Sequence, residues 1–344
     1  MDAVQLKSRL ESFLGARDYP AEVSGVEQIV GGFSQITYKF HATTGDVVET
    51  LVLRSDRPGG ATLTLTDRDL EYQVIKFLND AGAPVPLVRW ADRDGSELGT
   101  RSLISDFVPG SNLLQATRSG QLSSADAALV VAEAAAAIHN LDTRHVPQQI
   151  RGAGDWESYI DAQIQAWRDL EARQVERMPV VRYLAAWLDA NRPEPMELTL
   201  VHGEFGIANL MVSDDGGFSV IDWEYAHVGD PRMDLGWCLQ RGGQEPPNVL
   251  GDNLIVACER YRELTGASEA AINPAALSYF VILGSWRAFD QIVDGFSAIS
   301  MGANAPLLTA YLISPWSLSC SAWLQLTKDL DAMKTSSSQM EVSA

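Results

Sequence analysis

Residues 67–79 place Leu70, Val74, Phe77 and Leu78 on one face at helical spacing, so they predict an amphipathic helix. Apolar and β-branched residues run instead through Glu27–Phe40 and Glu49–Arg54, around the turn signal Thr44-Gly45-Asp46. These stretches predict paired strands. Leu87–Ala91 and Ser102–Phe107 add two more, split by the polar turn Asp92-Arg93-Asp94-Gly95. Beyond Pro109-Gly110 the period changes. Ser123–Leu141, Trp156–Gln174 and Met178–Ala190 read as helices, residues 200–235 as short strands around turns, and Asn253–Thr265 and Pro274–Phe296 as helices again. Met1–Leu14 carries an amphipathic pattern through Val4, Leu6, Leu10, Phe13 and Leu14. The expected fold class is α+β, with a small antiparallel sheet lobe first and a larger, mainly helical lobe second.

The strand-rich stretch holds the candidate chemistry. It reads LVHGEFGIANLMVSDDGGFSVIDWEYAHVGDPRMDL and carries His202, Glu204, Asn209 and Asp222. Glu204 and Asn209 are five residues apart, and Asp222 follows thirteen residues later. The first interval is the base-to-amide spacing of a kinase catalytic loop, and Asp222 stands where the metal-binding aspartate would. Phosphoryl transfer asks a protein mainly for positioning and charge neutralisation. A carboxylate at Glu204 suits orienting an acceptor hydroxyl and taking its proton. Asn209 and Asp222 are hard oxygen donors suited to magnesium. Any one of these residues alone reads as a solvated turn residue; the combined string does not.

This segment resembles the H-G-D-x-x-x-x-N and D-W-E signatures of the aminoglycoside phosphotransferase and choline kinase-like families, relatives of protein kinases. Within them it is most similar to the kinase-like phosphotransferases associated with acyl-CoA dehydrogenases. Weaker matches cover most of the chain: Gly31-Gly32-Phe33-Ser34-Gln35 resembles the nucleotide loop, Leu51-Val52-Leu53-Arg54 the third strand, and Ala83-Pro84-Val85-Pro86 the turn after the next helix. The resemblance implies a bilobal kinase-like fold with a nucleotide-binding lobe over 1–105, a hinge at 106–110 and a catalytic and substrate lobe over 111–334, while the SSSQ-containing segment 335–344, poor in large apolar residues, reads as a disordered tail. It implies a phosphotransferase using ATP, with GTP as the alternative, and Mg2+. Gly31, Gly32 and Ser34 would approach the phosphates; Arg54 would take the place of the phosphate-binding lysine, paired with Glu71. Backbone near Phe107 and Val108 would meet the base. Glu204, His202 and Asp234 would form the catalytic group, His202 organising the loop and Asp234 anchoring it, with Asn209 and Asp222 on the metal. The implied acceptor is a small-molecule hydroxyl, either of a hydroxyacyl-type catabolic substrate or of an aminoglycoside or amino-alcohol.

One residue departs from the family pattern: Glu204 replaces the expected aspartate. It is still anionic at neutral pH. Its extra methylene moves the oxygens by about 1 Å, and misplacement on that scale costs on the order of 10²-fold in rate. An active enzyme with an adjusted loop and a pseudokinase that binds nucleotide without transfer are therefore both open from sequence.

Composition narrows the partners. Of 344 residues, 46% are hydrophobic and 21% charged, an ordinary globular balance with enough chain for two lobes. The net charge of −19 argues against nucleic acid and anionic membranes as partners. Cys238, Cys258 and Cys320 are far apart and match neither a disulfide framework nor a zinc pattern. No targeting signal or membrane-length apolar run is visible, so the expected location is cytoplasmic. His139, closing an alanine-rich helix, reads as a packing residue.

Overall fold

The computed structural model describes residues 3–29, 35–57, 67–152, 154–173, 179–213, 215–244, 246–287, 289–290 and 319–335. The expected nucleotide-loop residues Gly31, Gly32 and Ser34, and the tail beyond Thr335, lie outside them. The chain divides into two units: residues 1–116, 141–150 and 208–226 form the first, and 117–140, 151–207 and 227–344 the second.

In the first unit, α1 (Ala3–Gly15) presents Leu6, Leu10, Phe13 and Leu14 at spacings of four, three and one. Those side chains join a core with Val23, Phe40, Leu51, Leu53 and Ile104 from the sheet. Burying each contributes about 1.5–3 kcal/mol over leaving it exposed. The sheet order is β1-β2-β3-β5-β4, all antiparallel, from Glu22–Ile29, Gln35–Thr44, Val47–Asp56, Ser102–Asp106 and Val88–Asp92 respectively. Asp67 caps α2 (Arg68–Asp80) by accepting from the amides of Asp69 and Leu70. The sequence reading ran Glu27–Phe40 together as one strand. The structure starts the first strand earlier and separates it, because β1 buries only Val23 and shifts register between Ser24 and Glu27. An exposed, bulged edge strand lacks the alternation that marks a buried one.

A second, three-stranded sheet in this unit joins β6 (Ser111–Asn112), β8 (Leu210–Val212) and β9 (Phe218–Val220) in that order. Gly110 makes this possible. Its φ is 110°, and a Cβ there would sit 2.1 Å from the carbonyl oxygen of Val212. Only glycine avoids both the strain and the clash.

The second unit is mainly helical. After α3 (Leu113–Arg118) at the junction of the units, α4 (Ser124–His139) packs on α9 (Leu254–Thr265), and α5 (Trp156–Ala172) packs on α6 (Pro179–Ala190). A short antiparallel ribbon pairs β7 (Thr199–Val201) with β10 (His227–Gly229). α7 (Arg232–Gln244) packs against α10 (Pro274–Gly284), and α8 (Val249–Asp252) lies before α9. The predicted helix at 274–296 runs through α10, pauses at the single turn residue Ser285, whose buried hydroxyl donates to the carbonyl of Val281, and is helical again at 286–287 and 289–290, its remainder lying outside the described residues. Trp167, fully buried, donates its indole N–H to the carbonyl of Leu283 at 3.0 Å. Among the described residues no helix is long and apolar enough to cross a membrane.

α7 and α10 meet through Gly236. A Cβ at this position would lie 2.9 Å from the backbone carbon of Phe280. Gly236→Ala sets a helix-propensity gain of about 1 kcal/mol against an overpacking cost of roughly 1–3 kcal/mol. The clash is with backbone, which yields least, so the variant is expected to melt at a lower temperature than the parent. A raised melting temperature would show that the two helices separate without cost.

Candidate active site

Two groups of polar side chains, one in each unit, hold the residues singled out from sequence. In the second unit β7 ends at Val201 and the chain turns through Gly203, whose φ is 85°. The turn is gripped by one carboxylate. Asp234, in the first turn of α7, accepts from the amide of His202 at 2.7 Å and from that of Gly203 at 2.9 Å. His202 Nδ1 accepts from the amide of Glu204 at 3.1 Å, which puts the proton of the neutral ring on Nε2. The His202 ring is fully buried, edge-on to Phe205. Arg287 Nη1 donates to the Gly203 carbonyl at 2.8 Å. The backbone on the N-terminal side of Glu204 is thus held from three directions, while the Glu204 side chain is half-buried.

Asp234 is itself fully buried. Burial alone would raise its pKa, but the hydrogen bond from His139 and those from the loop amides outweigh it and hold the carboxyl below its ordinary range. His139 Nε2 lies 3.1 Å from Asp234 Oδ2, and its Nδ1 lies 2.9 Å from the Tyr261 hydroxyl. Sequence reading took His139 for a packing residue; it supports the loop anchor as well as filling space. The signal was its place at the end of α4, which gains meaning only once α9 brings Tyr261 beside it.

In the first unit a hairpin closes the thirteen-residue gap between Asn209 and Asp222. β8 and β9 pair in the register Leu210↔Val220, and the amide of Ile221 donates to the Asn209 carbonyl at 3.0 Å. Asp222 follows directly, with a φ of 73°. A non-glycine residue in that region carries roughly 1–3 kcal/mol of strain, which the surrounding contacts must offset. Arg54, on β3, supplies one such contact: its guanidinium pairs with Asp222 and with Glu71 of α2, the latter at 2.8 Å. Burial lowers the Arg54 pKa, but the charges of Glu71, Asp222 and Glu224 outweigh it, and the net shift is upward. Glu71 is 2% exposed, which decides against its being a surface charge on an amphipathic helix.

Sequence reading missed a second guanidinium. Arg68 is fully buried and bonds Asp56 at 2.8 Å, Glu224 at 3.3 Å, and Glu71. Only its place three residues before Glu71 on α2 could have drawn attention to it. Gln35, at the start of β2, donates to Glu224 at 2.6 Å, and its own Oε1 is buried without a partner. Glu224 has a raised pKa, first from desolvation and then from the neighbouring Asp222. Trp223 between them is buried and donates to the carbonyl of Val220. Phe107, further along the chain, donates its amide to the Thr50 carbonyl at 3.1 Å, and Val108 is half-buried beside it.

These oxygens suit a hard divalent cation. Asp222 offers a carboxylate and Asn209 an amide oxygen, and the orphaned Oε1 of Gln35 is a further acceptor in the same cluster. Among the described residues no group of three or more His, Cys, Asp or Glu side chains could hold a metal alone. That pattern fits magnesium, which keeps several waters and binds through one or two carboxylates plus phosphate oxygens.

Comparison with known proteins follows the same lines. The model of the phosphotransferase enzyme family matches residues 25–266. Acyl-CoA dehydrogenase family member 10 of Mus musculus is 30% identical over 196 residues, which cover 55% of this chain and 18% of that protein. The chain therefore spans about a fifth of that relative's length. Among solved structures, a choline/ethanolamine kinase family protein from Mesorhizobium loti superposes with a TM-score of 0.62 at 16% identity, covering 96% of this chain and 99% of that one. A thermostable variant of aminoglycoside phosphotransferase APH(4)-Ia, in ternary complex with ADP and hygromycin B, gives 0.63 at 19% identity, covering 92% and 98%. At such identities the likeness speaks for the fold, which is kinase-like. With seven-tenths of its length matched by the family model, the chain belongs to the phosphotransferase enzyme family.

Proposed function

We propose that the chain is an ATP- and magnesium-dependent phosphotransferase that acts on a hydroxyl of a small molecule. The observation that carries this reading is the hairpin that sets Asp222 one residue beyond the Asn209–Ile221 bond, with Arg54 linking Asp222 to Glu71. In the reaction the acceptor oxygen forms a bond to the γ-phosphorus, the bond from that phosphorus to the β,γ-bridging oxygen breaks, ADP leaves, and the hydroxyl proton passes to the carboxylate of Glu204. Magnesium, held by Asn209 and Asp222, would neutralise charge on the phosphates. Arg54 is always cationic and binds phosphate oxygens in a fork, a task that ends its hold on Asp222. His202, Asp234 and Arg287 fix the backbone from which Glu204 projects, so the longer side chain starts from a defined point.

The relatives' names support two acceptor classes. Acyl-CoA dehydrogenase family members suggest a hydroxylated acyl compound, and the hygromycin B complex suggests an aminoglycoside or amino-alcohol. The first is preferred, because its relatives share about a third of their residues with this chain over the matched region, against a fifth for the second.

The first test is calorimetric. Titration with ATP is expected to show tight binding with magnesium and binding weaker by roughly 10- to 100-fold with excess chelator; Asp222→Asn is expected to abolish that difference. Binding indifferent to magnesium in the parent would remove the metal from the proposal. The second test concerns Glu204. With an accepted substrate, Glu204→Gln is expected to lower kcat by roughly 10²–10⁴-fold while ATP affinity holds. Equal turnover in both forms, or transfer by neither, would overturn the assignment of Glu204 as base, the latter outcome making the chain a nucleotide-binding pseudokinase.

A further inference from the structure

The ion pairs of the first unit close into a ring. Arg54 stands in the middle of the sheet, opposite Thr37 on β2 and Leu103 on β5, and sends its two η nitrogens to different carboxylates. Nη1 lies 2.8 Å from Oε1 of Glu71, and Nη2 pairs with Oδ1 of Asp222. The other Glu71 oxygen pairs with Arg68, whose Nη2 lies 3.3 Å from Oε2 of Glu224. Glu224 is two residues beyond Asp222, so the chain between them completes the circuit. Every member belongs to the same unit.

Burial decides where this ring can open. The side chains of Arg68, Glu71 and Glu224 are 0%, 1% and 4% exposed, whereas those of Arg54 and Asp222 are 17% and 30% exposed. Parting Arg68 from Glu71 would leave two charges away from solvent, which is strongly destabilising. The Arg54–Asp222 contact has water at hand on both partners, so its loss costs far less. Because Nη1 stays on Glu71, Nη2 can change partner without movement of β3 or α2.

The exchange has a chemical condition. A divalent cation arriving alone would meet a carboxylate that already holds a guanidinium, and the like charge opposes it. A cation arriving with a triphosphate brings the anion that the guanidinium can bind instead, through charge-assisted hydrogen bonds. Both new contacts then form as the old one breaks.

We propose that Arg54 makes this site select the metal–nucleotide complex over the free divalent cation. Its guanidinium serves as the cation of Asp222 until phosphate oxygens draw it away, and only then is the carboxylate open to the metal. The inference rests on the phosphotransferase reading and deepens it: phosphate and metal promote one another's binding, and by linkage each does so by the same factor. Arg68 stays paired with Glu71 and Glu224 throughout, so the turn that carries Asp222 persists when Arg54 leaves it.

The decisive result is a gain of binding. Free Mn2+, a hard cation suited to the same oxygen donors, would be titrated without nucleotide and followed by electron paramagnetic resonance. Arg54→Met is expected to bind it roughly 5- to 150-fold more tightly than the parent, the range of an ordinary coupling between sites. Adding Asp222→Asn to that variant is expected to remove the gain. Arg101 pairs with Asp56 at 2.8 Å, elsewhere in the same cluster. Arg101→Met removes the same charge but spares Asp222, and should bind Mn2+ as the parent does. No tightening in Arg54→Met, or equal tightening in Arg101→Met, would overturn the proposal.

Melting of the parent keeps the test decisive even where Arg54→Met fails to fold. Mn2+ alone should leave the melting temperature unchanged at a concentration where Mn2+ with a non-hydrolysable ATP analogue raises it. A rise with Mn2+ alone that Asp222→Asn removes would overturn the proposal. ATP binding by the parent separates the two readings. If it requires magnesium and Arg54→Met shows no gain, the phosphotransferase reading stands without this one. If it ignores magnesium and the gain is present, Arg54 guards Asp222 and the phosphotransferase reading falls.

Discussion

One buried charge organises the loop that carries Glu204. Asp234 sits without solvent exposure at the start of α7, and its two oxygens receive the amides of His202 and Gly203 and the ring of His139. Burying an isolated carboxylate costs several kcal/mol, and only a full set of donors offsets that cost. The arrangement is therefore all-or-none: the anion is tolerable only when the turn at Gly203 adopts the geometry that satisfies it. Stability and loop shape are thereby the same requirement. This is why a glycine with φ of 85° stands beside the carboxylate, since a side chain there would resist the turn that the charge demands.

The first unit solves a related problem with opposite emphasis. Asp56, Glu71, Asp222 and Glu224 are gathered around Arg54 and Arg68, and each guanidinium serves more than one carboxylate. Lysine could not replace Arg54 and hold Glu71 and Asp222 in one planar fork. The presence of arginine where kinases carry lysine thus goes with a cluster that shares its cations. Arg68 takes no exposed position, so its part is to keep β3, α2 and the Asp222–Glu224 turn in register.

Local patterns in the sequence conveyed most of the elements and the spacing of the catalytic string. α2, α4 and α5 follow from apolar residues behind polar N-caps and α6 from apolar periodicity, and the Glu204–Asn209–Asp222 intervals survive as a loop and a hairpin. What local pattern could not convey is long-range. Arg68 reads as an ordinary charge at a helix start until Asp56 and Glu224 close on it, and Arg287 reads as one more basic residue within a predicted helix until it proves to donate to Gly203, 84 residues earlier. The one-residue interruption at Ser285 left no local mark, because it rests on the Ser285 hydroxyl bonding back to its own helix.

The first unit is assembled from three separate stretches of chain, the last ending at Ala226. A ribosome adding roughly 5–20 residues per second needs on the order of 5–20 s to travel from the end of the first stretch to the end of the last. Through that interval the five-stranded sheet is complete while Arg54 still lacks Asp222 and Arg68 still lacks Glu224. The nascent protein thus carries a finished sheet with an unfinished charge cluster. The residues proposed to hold the metal enter last, so the competence of this unit is set late in synthesis.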